Sequence, residues 1–179
     1  MIVLVVGGAS SGKSKMAEDI CLRLKKPLYY LATMEDNCSE SRRKISGHRE
    51  MRKGKGFETI EMPKEIERAV FDKRGTVLLE CVGNLLSNEM FSQEFDPNPC
   101  HRILEGIDSV ISKNENAVIV SNDIFNNLEG LDEGSLAYVR NLAHLNIEIA
   151  KRADVVIEAV CSLLNIIKGE EICRSSGIF

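Results

Sequence analysis

Short apolar runs alternate along this chain with segments in which apolar residues recur every three or four positions. Runs rich in β-branched residues are typical of strands that are buried on both faces of a sheet. Such strands are predicted at residues 1–6, 27–32, 76–81, 117–121 and 155–160, and a short alternating strand at 57–61. Because helical segments separate most of them, we expect an α/β fold in which a mostly parallel sheet carries helices on both faces.

The helical segments are less uniform than the strands. Helical spacing follows residue 13, covers 39–53, and recurs around 103–111 and over 135–152. A further helix is predicted to begin at Pro63 and to place Val70 on its apolar face. Residues 96–99 are the clearest predicted loop, and residues from about 169 to 179 have no firm pattern and are treated as a candidate disordered tail.

The turn between the first strand and the first helix reads Gly7-Gly8-Ala9-Ser10-Ser11-Gly12-Lys13-Ser14. It fits the pattern G-x-x-x-x-G-K-[ST], and a position between a buried strand and a helix is the context that this phosphate-binding motif requires. The glycines allow backbone N–H groups to surround a phosphate at the positive end of the helix. Lys13 is expected to contact the β- and γ-phosphates, and Ser14 to bind Mg²⁺. The sequence therefore predicts a nucleoside triphosphate site.

Acidic residues follow two of the buried strands, at the sheet edge where such folds collect their ligands. Glu80 ends an apolar strand, where P-loop proteins keep the acid that orders Mg²⁺ or its water shell. The alternative is a carboxylate that merely ends a strand in solvent. Asp123, after the strand at 117–121, is a second candidate for the metal.

Composition narrows the range of functions. A net charge of −4 argues against a nucleic-acid-binding protein, and no apolar stretch is long enough to span a membrane. The six cysteines show no paired metal-binding spacing, so we interpret most of them as buried, reduced thiols of a cytoplasmic protein. A length of 179 residues suits one domain, residues 1–179.

Residues 39–53 form the one strongly basic segment of the chain. On a helix Lys44, His48 and Arg52 share a face, because they are four residues apart. A histidine in such a helix is ordinarily a solvated surface residue. Here the neighbouring cations favour a neutral imidazole and provide charge that would neutralise a triphosphate. A neutral histidine facing an α-phosphate is an arrangement for covalent nucleotidyl transfer.

Several segments resemble one family in their order and spacing. These are "VVGGASSGKSKMAE", "YYLATM", "RRKISGHREMR", "FETIEMP" and "VLLECVGNLLSN". They look like the bifunctional adenosylcobinamide kinase / adenosylcobinamide-phosphate guanylyltransferase of cobalamin biosynthesis. The resemblance covers about residues 1–90 and continues more loosely through "VIVSNDI" and "NLAHLNIEIAKRADVVIEAV". The chain departs from the family pattern at residues 121–125, after Arg52 and at 161–164.

The resemblance implies a RecA-like P-loop fold and two reactions. A nucleoside triphosphate, ATP or GTP, first phosphorylates the hydroxyl of the aminopropanol arm of adenosylcobinamide. GTP then guanylylates a histidine with loss of pyrophosphate, and adenosylcobinamide phosphate accepts the GMP. The resemblance also implies Mg²⁺ as cofactor, a corrinoid substrate and a homo-oligomer, namely a trimer.

Carried over by position, His48 matches the guanylylated histidine and Lys13 is catalytic. The resemblance implies nucleotide contacts at Gly7, Gly8, Ala9, Ser10, Ser11, Gly12, Lys13, Ser14, Thr33, Met34, Glu35, Arg49, Arg52, Glu61 and Glu80, with Ser14 and Glu80 at the metal. Two other functions stay open at this point. One is a small-molecule P-loop kinase that lacks the histidine step, and the other is a nucleotide-dependent regulatory protein.

Overall fold

The computed structural model describes residues 1–92, 98–125 and 129–178, apart from the side chains of Lys44 and Met51. Within these ranges the chain builds one seven-stranded sheet. Its strands are β1 (Ile2–Gly7), β2 (Leu28–Ala32), β3 (Phe57–Glu61), β4 (Thr76–Glu80), β5 (Asn116–Asn122), β6 (Val155–Val160) and β7 (Leu163–Lys168). Their spatial order is β3-β2-β4-β5-β1-β6-β7. Every neighbouring pair is parallel except β6 and β7, so the predicted mostly parallel sheet is confirmed.

The described helices connect the strands and cover the sheet. They are α1 (Lys13–Leu22), α2 (Ser39–Arg52), α3 (Val82–Met90), α4 (Pro99–Ser112), α5 (Glu133–Arg152) and α6 (Glu170–Ser176), with a 3₁₀ turn at Ile66–Arg68. None of them is long and apolar enough to cross a bilayer.

Alternation along the strands produces a core on each face of the sheet. On β1, Leu4 belongs to the core formed with α3, α4 and α5, whereas Val3 and Val5 belong to the core formed with α1 and α6. All five residues of β4 are buried, as expected for a strand covered on both sides. The predicted α/β architecture with helices on both faces is therefore confirmed.

Two predicted segments differ from the structure. The helix predicted from Pro63 is wrong, because only the turn Ile66–Arg68 is helical and Val70 is 78% exposed. The apolar spacing there reflects burial of Ile66 and Ala69 in the core shared with α4, not a continuous apolar face. In place of the candidate disordered tail, the chain forms α6, in which Cys173 is 1% exposed.

The sequence also left two elements unpredicted. Helix α3 directly follows β4, and its apolar residues extend the apolar run of the strand, so no boundary was visible. Strand β7 is exposed on both faces and lies at the edge of the sheet, so it shows no alternation. Of the predicted loop 96–99, residues 96 and 97 lie outside the described residues, while Asn98 caps α4 and Pro99 begins it.

Candidate active site at the carboxyl ends of the strands

The loop of residues 7–14 connects β1 to α1 and is called the P-loop below. Two of its glycines leave no room for a side chain. At Gly7 a Cβ atom would lie 2.5 Å from Ser11 Oγ. At Gly12, where φ is 91°, it would lie 2.8 Å from Ser162 Oγ. Any other residue at these positions would be strained or would displace the loop.

Lys13, the first residue of α1, reaches back over the P-loop. Its Nζ donates a hydrogen bond to the carbonyl oxygen of Gly8 at 2.9 Å. Burial lowers the pKa of Lys13 below the ordinary value of a lysine, and interactions with Cys81 and Glu80 oppose this shift. The ammonium group is thus held in a partly desolvated place where a phosphate would meet it.

This shift leads to a prediction about pH. Lys13 is charged below its pKa and loses its charge as the pH rises above that pKa. Because this pKa is lower than that of an ordinary lysine, nucleotide turnover should begin to fall at a lower pH. The measurement is the alkaline limb of kcat/KM for the nucleotide. In Lys13→Arg the guanidinium stays charged, so that limb should move to higher pH even if the variant is slower. An unchanged limb would show that another group titrates.

Glu80 is the centre of the polar contacts at this edge of the sheet. Its side chain is 8% exposed; Ser14 Oγ donates to Oε1, and Tyr30 OH donates to Oε2 at 3.2 Å. Burial, reinforced by the charge of Glu80, raises the pKa of Tyr30, so the phenol stays a donor. His48 Nδ1 lies 3.9 Å from Glu80 Oε1. Glu80 therefore links strand β4 to the P-loop, to β2 and to α2.

The pair of Ser14 and Glu80 fits a magnesium site. A hydroxyl and a carboxylate oxygen are hard ligands of the kind that Mg²⁺ prefers, and in P-loop enzymes the remaining positions belong to water and phosphate oxygens. The two groups already meet through the hydrogen bond from Ser14 to Glu80.

Helix α2 places cations and the imidazole against these groups. The guanidinium carbon of Arg52 lies 3.3 Å from the centre of the Tyr30 ring, a cation–π contact. Arg52 is 6% exposed, and its Nε and Nη1 have no hydrogen-bond partner among the described residues. The His48 side chain is 24% exposed, and its buried Nδ1 is likewise unpartnered within the described part of the chain. Arg49 forms an ion pair with Glu61 on β3.

These groups line one cavity of about 740 Å³, which we call the main cavity. Most of the sequence-predicted residues meet in it. Those that line it are Ala9, Ser10, Lys13, Ser14, Met34, Glu35, His48, Arg49, Arg52, Glu61 and Glu80. A P-loop, a candidate metal pair, fixed cations and an imidazole therefore share one concave site.

The other predicted residues lie elsewhere. Thr33 is fully buried, and its hydroxyl donates to the carbonyl oxygen of Cys81 at 2.9 Å, so it joins β2 to the end of β4. Gly12 packs on the turn between β6 and β7. A second cavity of about 250 Å³ is lined by residues that include Gly7, Gly8, Ser11 and Asp123. The side chain of Lys44 lies outside the described part, so its place on the His48 face stays a prediction.

Sequence reasoning missed several groups of the main cavity. Tyr30 orients Glu80 and supports Arg52, and Asn84 also lines the cavity. Tyr30 lies in an apolar strand, where its hydroxyl has no local signal. Its partners, Glu80 and Arg52, are 50 and 22 residues away in the chain, and only the folded structure brings them to Tyr30.

A family model described as "Cobinamide kinase / cobinamide phosphate guanyltransferase" matches residues 3–165. Two curated relatives are similar over different lengths. The bifunctional adenosylcobalamin biosynthesis protein CobP of Pseudomonas aeruginosa is 29% identical over 171 residues, which cover 93% of this chain and 97% of that protein. The bifunctional adenosylcobalamin biosynthesis protein CobU of Escherichia coli is 31% identical over 102 residues, which cover 55% of each.

One solved structure supports the fold independently. It is described as a prototypical ATPase from the type III secretion system of pathogenic bacteria, and it is 12% identical with a TM-score of 0.55. The match covers 98% of this chain and 61% of that chain. At this level of identity the likeness extends to the P-loop fold alone.

Proposed function

Because this chain belongs to the cobinamide kinase / cobinamide phosphate guanyltransferase family, we propose that it phosphorylates adenosylcobinamide and then transfers GMP to the product through a guanylylated His48. The observation that carries the proposal is the position of His48. Its imidazole opens on the same cavity as Lys13, Ser14 and Glu80, with a buried Nδ1 that has no hydrogen-bond partner among the described residues.

In the first reaction, the substrate hydroxyl attacks the γ-phosphorus of a nucleoside triphosphate. The bond between this phosphorus and the β-phosphate oxygen breaks, the nucleoside diphosphate leaves, and the hydroxyl proton passes to water. Lys13 and Arg52 would balance the charge of the phosphates. Ser14 and Glu80 would hold Mg²⁺, which would supply further positive charge to the phosphates.

In the second reaction, an imidazole nitrogen of His48 attacks the α-phosphorus of GTP, and the bond to the β-phosphate oxygen breaks to release pyrophosphate. A phosphate oxygen of adenosylcobinamide phosphate then attacks the same phosphorus, and the P–N electron pair returns to the imidazole. Glu80, 3.9 Å from His48 Nδ1, is placed to orient the ring. Arg52, with unpartnered buried Nε and Nη1, is a suitable partner for the leaving pyrophosphate.

The second reaction is the one that separates this proposal from a simple kinase. Purified protein is incubated with Mg²⁺ and GTP labelled at the α-phosphate, denatured, and counted for bound label. We expect covalent label that survives alkali and is lost in acid, as for a phosphoramidate, and that is discharged by adenosylcobinamide phosphate. GTP labelled at the γ-phosphate should leave none.

Absence of label with intact GTP binding would contradict the histidine step. A kinase without guanylyl transfer would then remain if adenosylcobinamide is still phosphorylated. A nucleotide-dependent regulatory protein would remain if no corrinoid reacts. The trimer implied by the family resemblance stays a prediction, which sedimentation of the same preparation would test.

A further inference from the structure

The two proposed reactions place different phosphates at the same point of the main cavity. In a P-loop enzyme the acid and the P-loop hydroxyl hold the metal that bridges the β- and γ-phosphates. A phosphoryl donor therefore brings its γ-phosphate to Glu80 and Ser14. Guanylyl transfer instead requires the α-phosphate within reach of His48, whose Nδ1 is 3.9 Å from the same Glu80 carboxylate.

From this conflict we propose that the nucleotide binds across the P-loop in opposite directions in the two reactions. The phosphoryl donor places its nucleoside in the second cavity, on the β6 side of the P-loop. The GTP that guanylylates His48 places its guanosine in the main cavity and its pyrophosphate toward the P-loop. The inference rests on the proposed function. It assigns the nucleoside of the phosphoryl donor to the second cavity, outside the main cavity.

The sheet order supports these directions. Glu80 ends β4, which is separated from the P-loop strand β1 by β5, while β6 lies on the other side of β1. A triphosphate whose γ-phosphate points toward β4 must therefore leave the P-loop toward β6. The second cavity extends to that side. It is lined by P-loop residues, by Glu158 and Cys161 at the β6 end, and by Asp123, which follows β5 on the other side of β1.

The polar groups of the second cavity suit a nucleoside and not a phosphate. Asp123 and Glu158 would repel phosphate oxygens, but they would accept hydrogen bonds from ribose hydroxyls or a base amine. Ser11, which is 8% exposed, also lines this cavity, and its buried Oγ has no hydrogen-bond partner in the described ranges. An unpartnered hydroxyl in such a place is expected to meet a ligand.

Both walls of the second cavity are fixed to the P-loop. The backbone N–H of Asp123 donates to Gly7 O at 3.0 Å, and that of Ser162, in the turn after β6, donates to Ser11 O at 2.8 Å. Glu158 Oε2 also accepts a hydrogen bond from Asn165 Nδ2 at 3.2 Å. The segments that carry the two carboxylates are therefore hydrogen-bonded to the P-loop on both sides.

The test compares Glu158→Gln with the wild type in both reactions. Glutamine keeps the size of the side chain and a hydrogen-bond acceptor for Asn165, but removes the charge. We expect the KM for ATP in adenosylcobinamide phosphorylation, and the Kd of a non-hydrolysable ATP analogue, to rise about tenfold. The rate at which α-labelled GTP labels His48 should change by less than about twofold. Glu171→Gln, an equal charge change on the exposed surface of α6, is the matched control.

A second variant protects the test from local effects of one substitution. Asp123→Asn should reproduce the pattern, because Asp123 lines the same cavity from the end that follows β5. If the KM for ATP rises and the rate of His48 labelling falls by the same factor, both nucleotides bind in one direction and the proposal is overturned. An unchanged KM for ATP and an unchanged Kd of the ATP analogue would also overturn it. A fall of kcat in both reactions of Asp123→Asn would indicate that Asp123 is a metal ligand, and this result would also overturn the proposal. Failure of the proposed function would appear separately, as wild-type protein without covalent label, while analogue binding would still report on the second cavity.

Discussion

Replacement of His48 by alanine is expected to abolish covalent labelling by α-labelled GTP while phosphorylation of adenosylcobinamide continues within about threefold of the wild-type rate. Loss of the nucleophile should lower GMP transfer by at least about a thousandfold, as removal of a nucleophile does in other covalent enzymes. Phosphoryl transfer should persist, because Ser14 and Tyr30 still hold Glu80 and Lys13 still covers the P-loop.

The measurement is label per protein and product formation in parallel assays. His144→Ala is the matched control, because that histidine is exposed on α5 and lines neither cavity. Label that persists in His48→Ala would identify another nucleophile. Loss of both activities would instead indicate that the imidazole is needed to hold Glu80 or α2 in place.

The buried strands and the functional residues at their ends could be predicted, because the sequence signals for both are local. A buried parallel strand is apolar throughout, and the P-loop pattern and Glu80 lie within a few residues of the strand ends that position them. The family resemblance carried by these segments is confirmed by the match over residues 3–165. Helix α2 was predicted from 39–53 in spite of Gly47, and it is observed at Ser39–Arg52.

Features that depend on distant partners could not be predicted. The hydroxyl of Tyr30 acquires its role only because β2 pairs with β4 and brings it to Glu80. Thr33 looked like a nucleotide contact at a strand end, yet the structure uses its hydroxyl to join that end to Cys81. The second cavity could not be predicted either. Asp123 follows β5 and Glu158 belongs to β6, and these two strands flank β1 in space but lie far apart in the chain.

An ion pair between a buried carboxylate of α1 and a lysine of the loop after α2 is another such feature. Lys55 Nζ lies 2.6 Å from Glu18 Oε2, and Glu18 is fully buried. The other carboxylate oxygen of Glu18 has no hydrogen-bond partner in the described part of the molecule. Lys55 is thus the main compensation for a buried negative charge, and it lies three residues after Arg52, where α2 ends.

We therefore expect Lys55→Met to lower the free energy of unfolding by about 3 to 5 kcal/mol, because it leaves a buried carboxylate unpaired. Urea unfolding at 25 °C measures the change. Lys53→Met is the matched control. Its ion pair with Glu50 is exposed at 3.5 Å, and exposed pairs contribute about 1 kcal/mol or less.

The double variant Glu18→Gln with Lys55→Met separates the charge effect from lost packing. Removing both charges should recover most of the stability, since a neutral amide is far less costly to bury than an unpaired carboxylate. If Lys55→Met also loses covalent labelling of His48, and the double variant regains stability but not labelling, the pair must also position α2 against the P-loop. If Lys55→Met is no more destabilising than Lys53→Met, the carboxylate of Glu18 must find another partner, and the pair does not hold α1 to the end of α2.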